Sequence, residues 1–234
     1  LALSAAFAAA DLRGEVITTP YSFVATTHCL KMAGLEPVFV DIDATTMNLD
    51  PAGIEAAITE RTSAIVPVHC YGNPCDVDAI QAIADRHGLK VIYDAAHAFG
   101  VRSRGKSVLG HGDFSTISFH ATKAFNTFEG GAVVARDAEG DRRLRLYRNF
   151  GITDEVSVEG LGTNAKMSEF NAALGLLQLA RFELILEQRG AVDRRYRQAF
   201  GQVPGIECLV YPDHVEPNFS YFPILVGEEF GRSR

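Results

Sequence analysis

Short apolar runs alternate along the first part of the chain with segments whose apolar residues recur at helical spacing. The strand candidates are residues 15–19, 36–42, 63–69, 90–96, 116–120 and 131–136. The helix candidates between them are residues 23–33, 51–58 and 77–87. Most strand candidates are apolar without alternation, which is typical of strands covered on both faces. This order predicts an α/β fold, a three-layer αβα sandwich with a mostly parallel sheet and right-handed crossovers.

The pattern changes in the second part of the chain. Residues 167–200 show one long helical pattern, and strand-like runs follow at 206–211 and 220–226. We therefore expect a large domain over residues 1–180, then a linking helix and a partial, smaller C-terminal α/β domain over 181–234. The chain opens in a helical pattern without an N-cap or an initiator methionine and stops soon after a strand-like run. We expect the working protein to extend beyond both ends.

Composition and charge narrow the possible partners. The 234 residues are 47% hydrophobic, which is enough to bury a substantial core, and the formal net charge is −7. No basic cluster is interleaved with aromatic residues, so we expect no nucleic acid partner. No apolar run approaches the length of a bilayer span and no signal peptide is visible, so we expect a cytoplasmic protein without a membrane partner.

The four cysteines do not form a disulfide framework. They are scattered, none belongs to a CxxC pair, and we interpret them as reduced thiols: Cys29, Cys70, Cys75 and Cys208. A metal site at His69, Cys70 and Cys75 lacks a second pair of ligands, so we expect no metal.

Two predicted strand ends carry polar residues that a sheet does not need. Asp94 stands where one apolar strand ends and is followed by His97, while Ser118 and His120 precede Lys123 at the end of another. Ligands of α/β sheets bind beyond the carboxyl ends of strands. Two simpler interpretations remain open, in which Asp94 is a helix N-cap and Lys123 is a solvated loop lysine.

The pairing of Asp94 with Lys123 favours covalent chemistry on a carbonyl. A lysine that attacks a carbonyl must be neutral, and a partly desolvated pocket lowers its pKa. The residues expected to provide these surroundings are Ala121, Ala124, Phe125 and Phe128. A buried carboxylate can hold a proton on the ring nitrogen of a heterocyclic cofactor bound to the lysine. The spacing of 29 residues between Asp94 and Lys123 (123 − 94) leaves room for a loop and one strand.

Five blocks spread over nearly the whole chain carry a resemblance to a known family. They are EVITTPYSFVATTHCLKMAGLEPVFVDID, VPVHCYGNPCDVDAI, VIYDAAHAFG, SFHATKAFNTFEGGAVV and GTNAKMSEFNAALGLLQL. In this order they resemble the DegT/DnrJ-type sugar aminotransferases, which are pyridoxal-phosphate enzymes of fold type I. The resemblance implies that residues 1–180 form the cofactor-binding large domain of that fold.

The resemblance also implies the roles of the polar residues at the two strand ends. Lys123 corresponds to the lysine that carries the cofactor covalently and later moves a proton. Asp94 would pair with the ring nitrogen, and His97 would lie near the phenolic oxygen, where relatives have Gln or His. Ser118 would bind the phosphate group.

Further residues are implied outside these strand ends. Phe23 would stack on the cofactor ring, although a simple core position remains an alternative. Asn164 would reach the cofactor phosphate of the neighbouring subunit, which makes the site shared and the protein a homodimer. The roles of Glu129 and Lys166 are left open. A phosphate-binding Gly-Thr/Ser element is expected upstream of the first helix of this chain.

The implied reaction moves an amino group from glutamate, or a similar donor, to a nucleotide-linked keto-6-deoxyhexose. The product would be an amino sugar for a surface polysaccharide or a glycosylated metabolite. Two alternatives share the fold: a non-catalytic, cofactor-binding regulator, and a pyridoxal-phosphate-dependent sugar dehydratase, in which His replaces the lysine found here as Lys123. A third is a nucleotide-binding doubly wound domain, although no GxGxxG or P-loop follows the first strand. The sugar and the aminated carbon stay open.

Overall fold

The strands and helices largely follow the predicted alternation over residues 1–230, the range described by a computed structural model. The strands in this range are β1 (Glu15–Thr18), β2 (Glu36–Phe39), β3 (Thr62–Ile65), β4 (Lys90–Asp94), β5 (Arg102–Ser103), β6 (Lys106–Ser107), β7 (Phe114–Ser118), β8 (Gly131–Ala135), β9 (Ile206–Cys208), β10 (Val215–Glu216) and β11 (Ile224–Val226). The α-helices are α1 (Ala2–Ala9), α2 (Ala25–Met32), α3 (Pro51–Ala57), α4 (Val77–His87), α5 (Ala138–Arg148), α6 (Glu169–Leu179) and α7 (Phe182–Phe200).

The main sheet has six strands in the order β2-β1-β3-β4-β7-β8. The first five strands of this order pair in parallel, and β8 pairs antiparallel with β7. The prediction of an α/β fold with a mostly parallel sheet is therefore confirmed. Because β1, β4 and β7 run in the same direction, their carboxyl ends meet at one edge of the sheet.

Helices cover both faces of this sheet. One core packs α1, α2 and α5 against the strand residues Val16, Ala64, Ile92 and Phe114. A second core packs α3 and α4 against the neighbouring strand residues Ile17, Ile65, Val91 and Tyr93. Successive side chains of a strand point to opposite faces, so the two cores lie on opposite sides of the sheet. The apolar strands without alternation are explained by this double coverage.

Side-chain caps define where two of the covering helices begin. Asp50 precedes α3 and accepts a hydrogen bond from the backbone nitrogen of Ala52 at 2.9 Å, with Pro51 as the first helical residue. Asp76 caps α4 in the same way, through the backbone nitrogen of Ala79 at 3.0 Å. These caps satisfy backbone donors that the first helical turn leaves unpaired.

The second part of the chain departs from the prediction in two places. The single long helix expected over residues 167–200 is wrong, because the chain breaks at Ala180 and Arg181 and forms α6 and α7. Helix α5 was not expected. Its sequence, AEGDRRLRLYR, is dominated by charged residues and offers few apolar positions, although Leu144 is buried.

The C-terminal strands form small sheets outside the main one. Strand β9 pairs antiparallel with β11, and β10 joins β5 and β6. The division at residue 180 stays a prediction, and residues 231–234 of the expected C-terminal domain lie outside the described range. Within residues 1–230, no helix has both the length and the apolar composition that a bilayer crossing requires.

Candidate active site

A cleft of about 1440 Å³ opens at the edge where β1, β4 and β7 end. All six site residues expected from the sequence line it: Phe23, Asp94, His97, Ser118, Lys123 and Asn164. Five of them lie at strand ends or in the loops that follow, and the sixth lies on the loop before α6. The fold therefore brings together residues that are up to 141 positions apart in the chain (164 − 23).

Asp94 ends β4 and is buried at the base of the cleft, with 6% of its surface exposed. Its Oδ2 accepts a hydrogen bond from the Thr26 hydroxyl at 2.7 Å, and its Oδ1 accepts one from the Ala96 nitrogen at 3.1 Å. Burial raises the pKa of the Asp94 carboxyl, and these two hydrogen bonds and the Lys123 charge oppose that rise. Two hydrogen bonds therefore hold the carboxylate in place. Among the residues that the structure describes, no cationic side chain contacts it.

Lys123 lies in the loop after β7 and is half-buried. Among residues 1–230, no side chain or backbone oxygen forms a hydrogen bond or ion pair with its Nζ atom. This atom lies 5.8 Å from the centroid of the Tyr221 ring. The backbone holds the loop, because the Lys123 nitrogen donates to the His120 carbonyl at 2.9 Å. The amine is therefore placed in the cleft and remains free to react.

The surroundings expected for Lys123 are only half present. Ala124 and Phe125 are buried in an aromatic cluster, where the Phe125 ring stacks on Phe99 with centroids 4.3 Å apart. Ala121 and Phe128 are exposed, so the expectation that they desolvate the amine is wrong. Phe128 has a positive φ of 62°, and its side chain is 65% exposed.

His97 lies on the cleft wall beside Asp94 and Lys123. Its Nδ1 accepts a hydrogen bond from the Tyr71 backbone nitrogen at 3.2 Å, and its ring lies 4.6 Å from the Tyr221 ring. Burial, together with the Lys123 charge, lowers the pKa of His97 to about 4. The ring is consequently neutral near pH 7 and, with Nδ1 as acceptor, its Nε2–H can donate a hydrogen bond.

Phe23 precedes α2, and its side chain is 74% exposed. The alternative that Phe23 belongs to the core is therefore wrong. An exposed aromatic face on a cleft wall is a natural docking surface for a flat ring. Ser118 ends β7, and its hydroxyl oxygen accepts a hydrogen bond from the His120 nitrogen at 3.3 Å.

Asn164 lies on an exposed loop that contacts the end of α5 through a bridge to Asn149. Nearby, the Lys166 amine donates to the Asn149 side-chain oxygen at 3.2 Å. Glu129 also lines the cleft, with its carboxylate oxygen 3.7 Å from His120 Nε2. These contacts place Glu129 and Lys166 at the cleft, as they do Asn164.

Close packing at the start of β8 leaves no room for larger side chains. A Cβ atom added at Gly131 would lie 2.6 Å from the Ile117 carbonyl oxygen. The first residues of α1 line the same part of the cleft.

The comparisons with known proteins agree with this geometry. The sequence model of the DegT/DnrJ/EryC1/StrS aminotransferase family matches residues 1–234. The chain belongs to the DegT/DnrJ/EryC1/StrS aminotransferase family. The dTDP-4-amino-4,6-dideoxy-D-glucose transaminase of Shigella dysenteriae is 55% identical over 234 residues, and that of Escherichia coli is 48% identical over 235 residues. The chain is fully covered by both matches but spans only 64% and 63% of those two proteins.

Solved structures of this family share the fold. DesI, crystallised in the presence of its TDP-sugar product, is 43% identical with a TM-score of 0.92, and the match covers 97% of this chain and 58% of DesI. Streptomyces venezuelae DesV is 36% identical with a TM-score of 0.91, over 96% of this chain and 62% of DesV. The fold is thus that of the fold type I aminotransferases, which depend on pyridoxal phosphate.

The residues of this DegT/DnrJ/EryC1/StrS chain fit such a cofactor. Asp94 is a buried carboxylate with a raised pKa and room for a cationic partner, as a protonated ring nitrogen requires. Lys123 offers an amine without a competing acceptor, and Phe23 offers an exposed aromatic face. This donor set suits a flat, anionic heterocycle with an aldehyde group. For a metal, in contrast, residues 1–230 contain no cluster of three or more suitable side chains.

The sequence analysis missed several residues of the site. Thr26 and Tyr221 contact Asp94, Lys123 or His97 across long stretches of chain, and Tyr21 and Tyr71 line the cleft with their hydroxyl groups 2.7 Å apart. No local pattern singled out Thr26, because the nearby Phe23 precedes α2 and is exposed, whereas Thr26 is buried. The contact of Tyr221 with the site depends on how the C-terminal segment packs.

Proposed function

We propose that the protein is a pyridoxal-phosphate-dependent aminotransferase that converts a nucleotide-linked ketosugar into an amino sugar. The observation that carries this proposal is the pairing, in one cleft, of a buried Asp94 carboxylate with the unpaired Lys123 amine. Membership of the aminotransferase family supports it. The chain spans less than two thirds of its first relatives, so the activity is proposed for the whole protein.

The proposed roles of the site residues are to bind the cofactor and to hold or move protons. Lys123 would hold the cofactor covalently through Nζ, and its amine, once free, would accept the proton of the donor's α-carbon and later return a proton to the acceptor. Asp94 holds a proton on the ring nitrogen, Phe23 supports the ring face, and Ser118 binds the phosphate. When bound, the cofactor supplies an electron sink for the carbon that loses its proton.

His97 and the exclusion of water complete this arrangement. The His97 ring is neutral, and its Nδ1 accepts a hydrogen bond from the Tyr71 nitrogen. The Nε2–H group of His97 would therefore be the donor toward the phenolic oxygen of the cofactor. The buried base of the cleft keeps water from Asp94, which strengthens its interaction with a cation there.

The names of the relatives narrow the substrate. Two relatives are dTDP-4-amino-4,6-dideoxy-D-glucose transaminases, and removal of that amino group leaves a dTDP-linked 4-keto-6-deoxyglucose. We propose this ketosugar as the acceptor and glutamate as the amino donor. A nucleotide-linked substrate is made in the cytoplasm, and the free thiols of Cys29, Cys70, Cys75 and Cys208 suit that reducing compartment.

An exposed apolar surface supports a homodimer with a shared site. Several large apolar side chains are more than two thirds exposed on α6 and the loop before it: Val156, Leu161, Phe170, Leu176 and Leu177. Such a concentration of apolar surface is typical of a protein interface. Asn164 lies in the same segment, so we propose that it reaches the cofactor phosphate of the partner subunit.

Subunit mixing tests whether the site is shared. The variants Lys123→Ala and Asn164→Ala should each have little activity as pure homodimers. In a mixed dimer, one of the two sites combines an intact Lys123 from one chain with an intact Asn164 from the other. When half of all dimers are mixed, about a quarter of all sites are intact. Activity should therefore return to about a quarter of the wild-type value. No recovery in dimers shown to be mixed would contradict a shared site.

A spectroscopic assay tests the function itself. The full-length protein, mixed with pyridoxal phosphate, should develop a visible absorbance band, and glutamate should convert that band by accepting the cofactor's carbonyl oxygen in exchange for its amino group. Addition of the dTDP-linked 4-keto-6-deoxyglucose should then restore the band and yield the amino sugar.

The same assay separates the enzyme from a regulator. One relative, 40% identical over 209 residues, is named pleiotropic regulatory protein. A protein that binds the cofactor but leaves its spectrum unchanged with glutamate and other amino donors would be a regulator. A protein that develops no band would contradict the proposed function altogether.

A further inference from the structure

The Thr26 side chain is buried between helix α2 and the end of β4. Its exposed fraction is 0%, and its hydroxyl donates to Oδ2 of Asp94 at 2.7 Å, across 68 positions of the chain. Threonine hydroxyls in helices commonly bond to a carbonyl of the preceding turn. In the described part of the chain, the Thr26 hydroxyl makes no such bond and contacts the Asp94 carboxylate and Ser22 instead.

The direction of these hydrogen bonds follows from the chemistry of the groups. An ionised carboxylate only accepts, so the single proton of the Thr26 hydroxyl is directed to Asp94. The Ser22 hydroxyl lies 2.9 Å from Thr26 Oγ1 and 3.2 Å from the Phe23 carbonyl oxygen, so its single proton has two acceptors within reach.

The position of Thr26 links the carboxylate to the other wall of the cleft. Thr26 lies in the first turn of α2, three residues after Phe23. The same turn thus carries the exposed aromatic ring and the donor to the buried carboxylate. With the Ala96 nitrogen on Oδ1, the Thr26 contact holds both oxygens of Asp94, which lines the cleft.

We propose that Thr26 is a positioning residue that acts through Asp94 and keeps the proton on the ring nitrogen of the cofactor; this rests on the proposed function. A hydrogen bond to the ionised form stabilises a carboxylate that burial otherwise makes more basic. Without the Thr26 hydroxyl, Asp94 becomes the stronger base and the shared proton moves from the ring nitrogen toward its oxygen.

The test uses variants of the full-length protein that separate the role of the Thr26 hydroxyl from that of the rest of the side chain. Thr26→Val keeps the shape of the side chain, and Thr26→Ser keeps the hydroxyl. The matched control is Thr18→Val, because Thr18 is also 0% exposed and its hydroxyl donates to the Val66 backbone carbonyl at 2.8 Å rather than to the Asp94 carboxylate. Each variant is loaded with pyridoxal phosphate labelled with ¹⁵N in the ring.

The ¹⁵N resonance reports the protonation of the ring nitrogen, which a general loss of stability would not change. We expect Thr26→Val to shift it toward the unprotonated position and to lower turnover by about tenfold to a hundredfold, the effect of a lost hydrogen bond to a charged group. Thr26→Ser and Thr18→Val should retain the wild-type resonance.

Three results would overturn the inference. If Thr26→Val shows the wild-type resonance, Thr26 does not act through Asp94, while the proposed function stands. If Thr18→Val shifts the resonance equally, the effect is not specific to the Asp94 contact. If wild type binds no cofactor, both proposals fail together. Should Thr26→Val not fold, Thr26→Ala removes the same hydroxyl, and the same resonance decides the outcome.

Discussion

The two strand ends that meet in the cleft are built in opposite ways. At the end of β4 both oxygens of Asp94 accept hydrogen bonds, and the Asn218 side chain ties down the following turn by donating to the carbonyls of His97 and Phe99. At the end of β7 the residues just before Lys123 are exposed, whereas Ala124 and Phe125 after it are buried. No acceptor holds the Lys123 amine in the described range.

This difference matches what each group must do. An acid that holds a proton on a ring nitrogen works from one fixed position, and preorganised charge is most effective when it need not rearrange. An amine that bonds to a carbonyl and then moves a proton needs freedom to swing and no competing acceptor. One cleft therefore combines a carboxylate held by two hydrogen bonds at the end of β4, which we call the rigid half, with an amine that no described acceptor holds at the end of β7, which we call the mobile half.

The largest expected effect comes from removing the amine of the mobile half. Lys123→Ala should abolish the absorbance band of the covalently held cofactor and lower turnover by about a thousandfold or more, because the amine that carries the cofactor and moves the proton is removed. Lys106→Ala, an exposed lysine on β6, is the matched control and should behave as wild type. A yellow, active Lys123→Ala protein would refute the assignment.

Neutralising the rigid half should have the next largest effect. Asp94→Asn keeps the size of the side chain but removes the charge that holds the ring proton, so turnover should fall by about a hundredfold to a thousandfold. Steady-state kinetics on protein saturated with cofactor measures this loss. Turnover within a fewfold of wild type would show that the carboxylate does not support the reaction.

Backbone strain in the mobile half can be tested at Gly130. Its φ is +157°, and an added Cβ would collide with the Thr127 hydroxyl and lie 2.9 Å from Met167 Cε. Gly130→Ala should therefore lower the free energy of unfolding by about 3 kcal/mol, measured by urea denaturation. Gly105 has a φ of +72°, and no atom lies within 4 Å of a Cβ added there. Gly105→Ala should therefore lower the free energy of unfolding by only about 1 kcal/mol. Equal losses would contradict the packing described for this loop.

A further prediction concerns the pH dependence of the rigid half. The pKa of His97 is lowered from 6.5 to about 4, so the unfolded chain takes up a proton between these values that the folded chain does not. Stability is therefore lost as the pH falls from about 6.5 to 4, with a slope of at most about 1.4 kcal/mol per pH unit from this residue.

His97→Gln isolates that contribution. The variant should show a shallower fall in stability over the same pH range, measured by denaturation at several pH values. His69, with its pKa lowered to about 3 by burial, contributes to the remaining slope. An unchanged slope in His97→Gln would show that His97 is not neutral in the folded protein.

Most of the sheet could be predicted because its strands are covered on both faces and read as continuous apolar runs. The predicted strands often extended past the observed ends, for example to Ile42 where β2 ends at Phe39, because apolar residues continue after the chain leaves the sheet. Helix α5 could not be predicted from apolar periodicity, since it contacts α1 mainly along one side and exposes most of its charged residues. Its ion pairs, such as Arg145 with Asp141, stabilise it locally.

The site residues that belong to recognisable sequence motifs could be predicted. Asp94 and Lys123 lie at strand ends, so sheet topology brings them together. Thr26 and Tyr221 reach the site through tertiary packing across long separations, and no local pattern reports such contacts. The exposure of Phe128 depends on the positive φ of its own backbone, which a bulky residue rarely adopts.

The most direct test of the account is to locate the covalent link. The full-length protein is loaded with pyridoxal phosphate, treated with borohydride to make the carbon–nitrogen bond permanent, digested and mapped by mass spectrometry. The account predicts the added cofactor mass on the peptide that contains Lys123 and on no other lysine. Cofactor mass on a different lysine, or on none, would contradict it.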